Sequence, residues 1–173
     1  MKKIIIRNVL ILCLLMSAGF YVQAAEISQG LLAVNNISHP SSNRYAAGQP
    51  EPESFSVFAA AGVKHVINLR PPAETANINE AAIVTKAGMA YYNVPIGGGA
   101  DLTRDNVILI DKLLSQIGEE SVLLHCSSSN RVGAVMALRA AWLEGASAGE
   151  AIAIGKRWGL TRMQPSVERL LAQ

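Results

Sequence analysis

Apolar and polar positions along the chain follow two alternating patterns. Short apolar and β-branched runs at 65–69, 90–96 and 121–125 predict strands, and the last of these is expected to be buried on both faces. Apolar residues at helical spacing predict helices at 53–61, 77–87, 104–117, 132–143, 148–158 and 166–172. Strands that alternate with helices predict a three-layer α/β domain, in which helices flank a mainly parallel central sheet.

Two of these helices carry recognisable caps at their first turns. Thr103 is placed to cap the helix that ends before Gly118, and Ser147 with Glu150 has the spacing of a capping box. The helix at 132–143 is apolar on nearly all sides, so we expect it to lie deep in the fold.

Residues 1–24 have the pattern of an export signal. Three basic residues open the segment, an apolar stretch follows at 9–16, and Ala24 ends a cleavage site of small residues. The pattern resembles a bacterial Sec signal, so we expect cleavage after Ala24 and a protein in the periplasm or outside the cell. Because the apolar stretch falls short of the ~20 residues that span a bilayer, we expect no stable membrane anchor after cleavage.

The length and the net charge limit the possible folds and binding partners of the chain that follows the signal. The 173 residues allow one domain with a real core, predicted at 44–173 after a polar arm at 25–43. The formal net charge of +2 includes the three basic residues of the signal, and the remainder has 12 basic against 13 acidic residues, a net of −1. This balance, with 5% aromatic residues, gives no basis for binding nucleic acid or an anionic membrane surface.

The candidate chemistry lies where the strand at 121–125 gives way to the next helix. Cys126 ends the strand, Arg131 opens the helix, and four residues separate them. A loop this short turns backbone N–H groups toward one point, where the helix dipole adds positive potential, so the thiolate of Cys126 is stabilised as a nucleophile. Arg131 offers a planar cation to two oxygens of an oxyanion. His125 is expected either to hold the loop or to be an ordinary core histidine.

The pair His125-Cys126, with an arginine opening the next helix, resembles the cysteine-dependent tyrosine and dual-specificity phosphatases. Those enzymes usually have five residues between the cysteine and the arginine. The shorter loop, together with the segments 45–50, 66–70 and 92–95, is similar to a narrower group, the bacterial phosphatase-like domains related to beta-lactamase-hydrolase-like proteins. The resemblance covers roughly residues 36–172.

This resemblance implies hydrolysis of phosphomonoesters through a phosphocysteine on Cys126, with a phosphorylated protein or a small phosphate as substrate. Arg131 and the phosphate-binding loop would hold the phosphate oxygens, and no cofactor or metal is needed. The loop consists of Ser127, Ser128, Ser129 and Asn130.

The general acid that such a reaction needs is less clearly marked. Asp101 follows a strand and a glycine loop, and it is our first choice, although an acid just before a helix also suits local capping. Asp105 and Glu74 are the alternatives. Arg70 is expected to orient Glu74, to contact the substrate or to form a surface ion pair.

Two positions depart from the usual phosphatase pattern. Ser129 stands where such loops have glycine, at a position that suits a positive φ, and Val132 stands where many have a hydroxyl that helps to break the phosphocysteine. Both predict slower turnover rather than lost binding. A serine of the loop is expected either to replace that hydroxyl or to bond to the loop backbone.

Two other functions remain open at this point. Rhodanese-like sulfurtransferases also place a cysteine at a strand end in a loop of this length, and Cys126 would then carry a persulfide. The uncertain acid and the missing hydroxyl also allow a phosphatase-like domain that binds anions without catalysis.

Overall fold

A five-stranded sheet forms the centre of the computed structural model, which describes residues 29–173; the predicted signal at 1–24 lies outside the described residues. The sheet order is β1-β2-β5-β3-β4. The strands in chain order are β1 (Ser38–Ser41), β2 (Arg44–Ala47), β3 (His65–Asn68), β4 (Ala90–Asn93) and β5 (Val122–His125).

Strand β5 lies between β2 and β3 and is parallel to both. His125 pairs with Ala47 on one side and with Asn68 on the other, so three strands end together at one edge of the sheet. Strand β4 is parallel to β3, and only the pairing of β1 with β2 is antiparallel among the named strands. In open parallel sheets, ligands bind outside this carboxyl edge, which is where Cys126 follows β5.

Helices cover both faces of the sheet. On one face, α1 (Ser54–Ala60) and α2 (Glu80–Lys86) pack Phe55, Phe58 and Val84 into a core with Leu123 of β5. The other face packs Leu124 against a larger core. Its helices are α3 (Arg104–Ile117), α4 (Asn130–Trp142), α5 (Ala148–Arg157) and α6 (Gln164–Leu171). The predicted three-layer, mainly parallel α/β fold is therefore confirmed.

Helix α4 crosses the larger core at very close range. Most of its residues are buried, as its apolar sequence predicted. A Cβ atom at Gly133 would lie 2.1 Å from the backbone nitrogen of Leu160, and one at Gly155 would lie 2.7 Å from the carbonyl oxygen of Gly133. The two glycines therefore let α4 and α5 approach until their backbones touch.

The predicted caps are confirmed. The Thr103 hydroxyl accepts a hydrogen bond from the backbone N–H of Asn106 at 3.3 Å, and α3 ends before Gly118, whose φ is 59°. The backbone N–H of Ser147 donates to the Glu150 carboxylate at 2.9 Å, which closes the capping box of α5.

Several element boundaries differ from the sequence prediction. Helix α2 starts at Glu80 rather than at residue 77, because the Asn79 side chain accepts from Ala82 N and fixes the first turn there. Strand β4 stops at Asn93, since Pro95 cannot continue the ladder. Part of the segment expected to be a loose arm is the edge strand β1, and residues 29–32 are helical. Helix α4 begins at Asn130, so Arg131 lies inside its first turn.

Candidate active site

Cys126 lies directly after β5, fully buried, with the loop 127–130 bent over toward α4. Its backbone N–H donates to the carbonyl of Ala47 at 3.3 Å. The carbonyl of Ser127 accepts from the N–H of Gln49 at 3.3 Å, and a Cβ at Gly48 would lie 3.0 Å from that carbonyl oxygen. The segment after β2 therefore packs against the loop with its backbone, and Gly48 is needed for this close approach.

Ser129 has φ 63°, the left-handed conformation for which its position was singled out. Its hydroxyl donates to the carbonyl of Trp158 at 3.0 Å. The Asn130 side-chain oxygen accepts from the N–H groups of Thr161 at 2.8 Å and Met163 at 3.2 Å. These two side chains therefore tie the loop to the connection between α5 and α6.

Arg131 is held by four hydrogen bonds. Its Nη1 donates to Glu74 Oε1 at 2.9 Å and to the carbonyl of Ile96 at 2.7 Å. Its Nη2 donates to Glu74 Oε2 at 2.7 Å and to the Ser127 hydroxyl at 2.8 Å. Burial lowers the pKa of Arg131, but the hydrogen bonds to Glu74 and the neighbouring Cys126 outweigh burial and raise it. A permanent cation therefore lies beside the thiol.

Glu74 accepts hydrogen bonds from two arginines, Arg70 and Arg131. Besides its contacts with Arg131, it accepts from Arg70 Nε at 3.3 Å, and its backbone carbonyl accepts from Arg70 Nη2 at 2.6 Å. The hydrogen bond from Arg131 is the main reason that the pKa of Glu74 lies below its ordinary value. Because the carboxylate stays ionised at neutral pH, it suits the orientation of Arg131 better than the donation of a proton.

A second polar cluster, which the sequence did not reveal, lies at His125, the last residue of β5. Glu80 Oε1 lies 3.0 Å from His125 Nε2, and Glu80 Oε2 accepts from Gln49 Nε2 at 2.6 Å. The oxygen of Gln49 accepts from Arg70, which links this cluster to Glu74. Gln49 stands in the segment 45–50 that carried the resemblance, but Glu80 reads in the sequence as an ordinary acid in a first helical turn.

Asp101 ends a 3-10 turn (Gly99–Asp101) that follows the carbonyl of Ile96, an acceptor for Arg131. Its Oδ2 accepts from the N–H groups of Gly97 at 2.7 Å and Gly98 at 3.3 Å. The loop that carries Asp101 therefore adjoins Arg131, with the carboxylate bonded to the loop itself. Asp105 is exposed in the first turn of α3.

Within residues 29–173, no group of three or more histidine, cysteine or acidic side chains is arranged to hold a metal ion. No helix in that range is both long enough and apolar enough to cross a membrane.

Comparison with known proteins finds similarity in part of the sequence and in the fold. No protein-family model matches the chain. A curated relative, the beta-lactamase hydrolase-like protein of Xylella fastidiosa, is 35% identical over 96 residues, which are 53% of this chain and 22% of that protein. The chain thus spans about a fifth of the length of the curated relatives that it matches.

Solved structures share the fold. A candidate phosphatase of the DUF442 group from Shewanella putrefaciens has a TM-score of 0.67 at 24% identity, over 83% of this chain and 93% of that one. TpbA from Pseudomonas aeruginosa, solved as a cysteine-to-serine variant in complex with phosphotyrosine, has a TM-score of 0.57 at 17% identity, over 78% of this chain and 81% of that one. The predicted resemblance to tyrosine-phosphatase-like proteins is confirmed for the fold.

Proposed function

We propose that the protein is a cysteine-dependent phosphatase that hydrolyses phosphomonoesters, with Cys126 as nucleophile and Arg131 as the phosphate-binding cation. The observation that carries this proposal is the position of a permanently charged guanidinium beside a buried thiol, at the carboxyl edge of a parallel sheet. The phosphatase folds of the structural neighbours support the same assignment.

The reaction has two steps. The Cys126 thiolate attacks phosphorus, a sulfur–phosphorus bond forms, the phosphorus–oxygen bond to the leaving group breaks, and a general acid protonates the leaving oxygen. Water then attacks the phosphocysteine and gives up a proton to the same group. The sulfur–phosphorus bond breaks, and inorganic phosphate leaves with the thiolate restored.

The loop supplies the donors for the phosphate oxygens. The backbone N–H groups of 127–130 lie at the start of α4, where the helix dipole favours an anion. Arg131 adds its guanidinium, held in place by Glu74. The side chains of Ser129 and Asn130 keep the loop in shape through their bonds to residues 158–163.

We assign the general acid to Asp101. Its loop adjoins Arg131 through Ile96, and the three glycines that precede it at 97–99 allow the loop to turn the carboxylate toward the leaving group. Glu74 is disfavoured because its lowered pKa keeps it ionised. Asp105 is disfavoured because it is exposed and lies further along α3.

The substrate is a phosphorylated protein or a small phosphate, with both phosphotyrosine and phosphoserine as candidates. The binding of phosphotyrosine by the similarly folded TpbA supports phosphomonoesters as the class. The basic and apolar pattern of residues 1–24 supports export to the periplasm or beyond, with cleavage after Ala24.

A sulfurtransferase is the second candidate, because the four-residue loop between Cys126 and Arg131 has the length found in rhodanese-like domains. The test measures hydrolysis of p-nitrophenyl phosphate and, in parallel, sulfur transfer from thiosulfate to cyanide. The phosphatase proposal expects phosphate release that Cys126→Ser abolishes and that Arg131→Lys strongly reduces. Sulfur transfer without phosphate release would support the second candidate, and phosphate binding without either activity would indicate a non-catalytic domain.

A further inference from the structure

Gln49 joins the two polar clusters of the candidate site. Its side-chain Nε2 donates to Glu80 Oε2 at 2.6 Å and to the carbonyl of Pro50 at 3.1 Å. Its side-chain oxygen accepts from Nη1 of Arg70. Its backbone N–H donates to the carbonyl of Ser127 at 3.3 Å. One residue therefore connects the loop after Cys126, a buried acid and an arginine.

The chemistry of its two neighbours fixes the orientation of the Gln49 amide. Burial raises the pKa of Glu80, but the hydrogen bonds from its neighbours and the charge of Arg70 outweigh burial and lower it. Glu80 is therefore ionised at neutral pH and only accepts hydrogen bonds, whereas the guanidinium of Arg70 only donates them. A carboxamide supplies the donor that Glu80 needs and the acceptor that Arg70 needs. A carboxylate at position 49 would lack the donor, and a thioether would lack both.

Arg70 connects Gln49 to Glu74. Its Nε donates to Glu74 Oε2 at 3.3 Å and its Nη2 donates to the Glu74 carbonyl at 2.6 Å, so Arg70 holds both the side chain and the backbone of Glu74. Glu74 ends the turn at 72–74, whose residues are exposed, and its N–H donates to the carbonyl of Pro71 within the same segment. The contact with Arg70 therefore holds this exposed turn to the end of the sheet.

We propose that Gln49 is a positioning residue that orients the guanidinium of Arg131 for phosphate. It acts through Arg70 and Glu74, and the last step is the pair of hydrogen bonds that Arg131 donates to the Glu74 carboxylate. The inference rests on the proposed function, which assigns Arg131 to the phosphate oxygens. Without an acceptor at position 49, Arg70 loses its contact with the segment after β2. The Glu74 carboxylate is then less firmly held, and Arg131 is misaligned for the ligand.

Two substitutions of Gln49 separate positioning from a merely structural role. Gln49→Met removes the donor and the acceptor, whereas Gln49→Glu keeps an acceptor for Arg70 and loses the donor to Glu80. Both variants should be less stable in urea denaturation, because Glu80 loses a hydrogen bond in each.

Binding of inorganic phosphate to the full chain, followed by ³¹P NMR titration, should respond differently. The proposal expects binding about tenfold weaker in Gln49→Met and changed by less than about twofold in Gln49→Glu. Gln116→Met, at an exposed position of α3, is the matched control and should alter neither stability nor phosphate binding.

Phosphate binding that is unchanged in Gln49→Met, or equally weakened in both variants, would overturn the proposal. If Gln49→Met does not fold, Gln49→Lys takes its place, since it keeps a donor for Glu80 and removes the acceptor for Arg70; the same tenfold loss is expected.

A crystal structure of the Gln49 variant tests the positioning without any ligand. The proposal expects the two hydrogen bonds between Arg131 and Glu74 to be broken, and their persistence would overturn it. An unaltered protein that binds no phosphate would count against the proposed function alone, and the crystal structure would then decide the role of Gln49.

Discussion

The guanidinium of Arg131 meets the carboxylate of Glu74 edge to edge, with Nη1–Oε1 at 2.9 Å and Nη2–Oε2 at 2.7 Å. The remaining hydrogen of Nη1 goes to the carbonyl of Ile96, and that of Nη2 goes to the Ser127 hydroxyl. All four hydrogens of the two terminal nitrogens are therefore engaged. A phosphate oxygen that binds at Nη2 must displace either the carboxylate or the hydroxyl, and the neutral hydroxyl is the weaker competitor.

Removal of the competing hydroxyl should tighten phosphate binding. We expect Ser127→Ala to lower the inhibition constant of inorganic phosphate about threefold, because a neutral hydrogen bond contributes about 0.5–1.5 kcal/mol net. The comparison is Ser128→Ala, which leaves the Arg131 contacts intact. Weaker phosphate binding by Ser127→Ala would show instead that the hydroxyl contacts the ligand.

The assignment of the general acid predicts a dependence on the leaving group. Asp101→Asn should slow the hydrolysis of alkyl phosphates about 100-fold, within the range for general acid catalysis, and should affect p-nitrophenyl phosphate much less because its leaving group needs no proton. Glu74→Gln should slow both substrates to a similar extent, since it loosens Arg131. The opposite pattern, with leaving-group dependence in Glu74→Gln, would make Glu74 the acid.

The close crossing of α4 and α5 predicts a large effect on stability. Gly133→Ala places a Cβ 2.1 Å from the backbone nitrogen of Leu160, so the helices must separate, and we expect a loss of about 3 kcal/mol or more in the free energy of unfolding. Gly149→Ala is the control within α5: a Cβ there meets no atom within 4 Å, and a gain of about 0.5 kcal/mol is expected. Urea denaturation measures the free energy of unfolding of both variants. Equal changes in the two variants would contradict the close contact between α4 and α5.

The pair of Glu80 and His125 predicts how stability depends on pH. Burial opposes ionisation of Glu80, but its partners lower its pKa below the ordinary 4.5. A carboxyl group with a lowered folded pKa stabilises the native state above pH 4.5, and this contribution is lost as the pH falls through the folded value. The stability difference between the unaltered protein and Glu80→Gln should thus shrink as the pH falls below 4.5. A difference that stays constant down to pH 3 would contradict this account.

Local patterns in the sequence were sufficient to predict much of the fold. Thr103 and Ser147 were identifiable as caps because capping depends on residues within three positions of each other. The strand β5 and the deep helix α4 were identifiable because complete burial leaves an uninterrupted apolar pattern. Neither strand of the β1–β2 hairpin was predicted, since β1 is a half-exposed edge strand in a polar segment and β2 has only four residues, two of them alanine.

The residues of the candidate site likewise differ in how far the sequence alone could predict them. Cys126, Arg131 and the strained position of Ser129 follow from one continuous segment, which the sequence displays directly. Glu80 meets His125, and Gln49 meets Glu80, only because the sheet order brings β2 and β3 to either side of β5. The pairing of distant strands produces no periodic pattern in the sequence. Glu74 was one of three candidates for the general acid in the sequence, and nothing there indicated that the turn at 72–74 brings it to Arg131.

Covalent capture of the reaction tests the central claim most directly. The protein is mixed with p-nitrophenyl phosphate, quenched within one turnover, digested and analysed by mass spectrometry. The account predicts one phosphoryl group on the thiol of Cys126, which disappears as inorganic phosphate is released. Hydrolysis that persists in Cys126→Ser, or turnover in which Cys126 never carries phosphate, would contradict it.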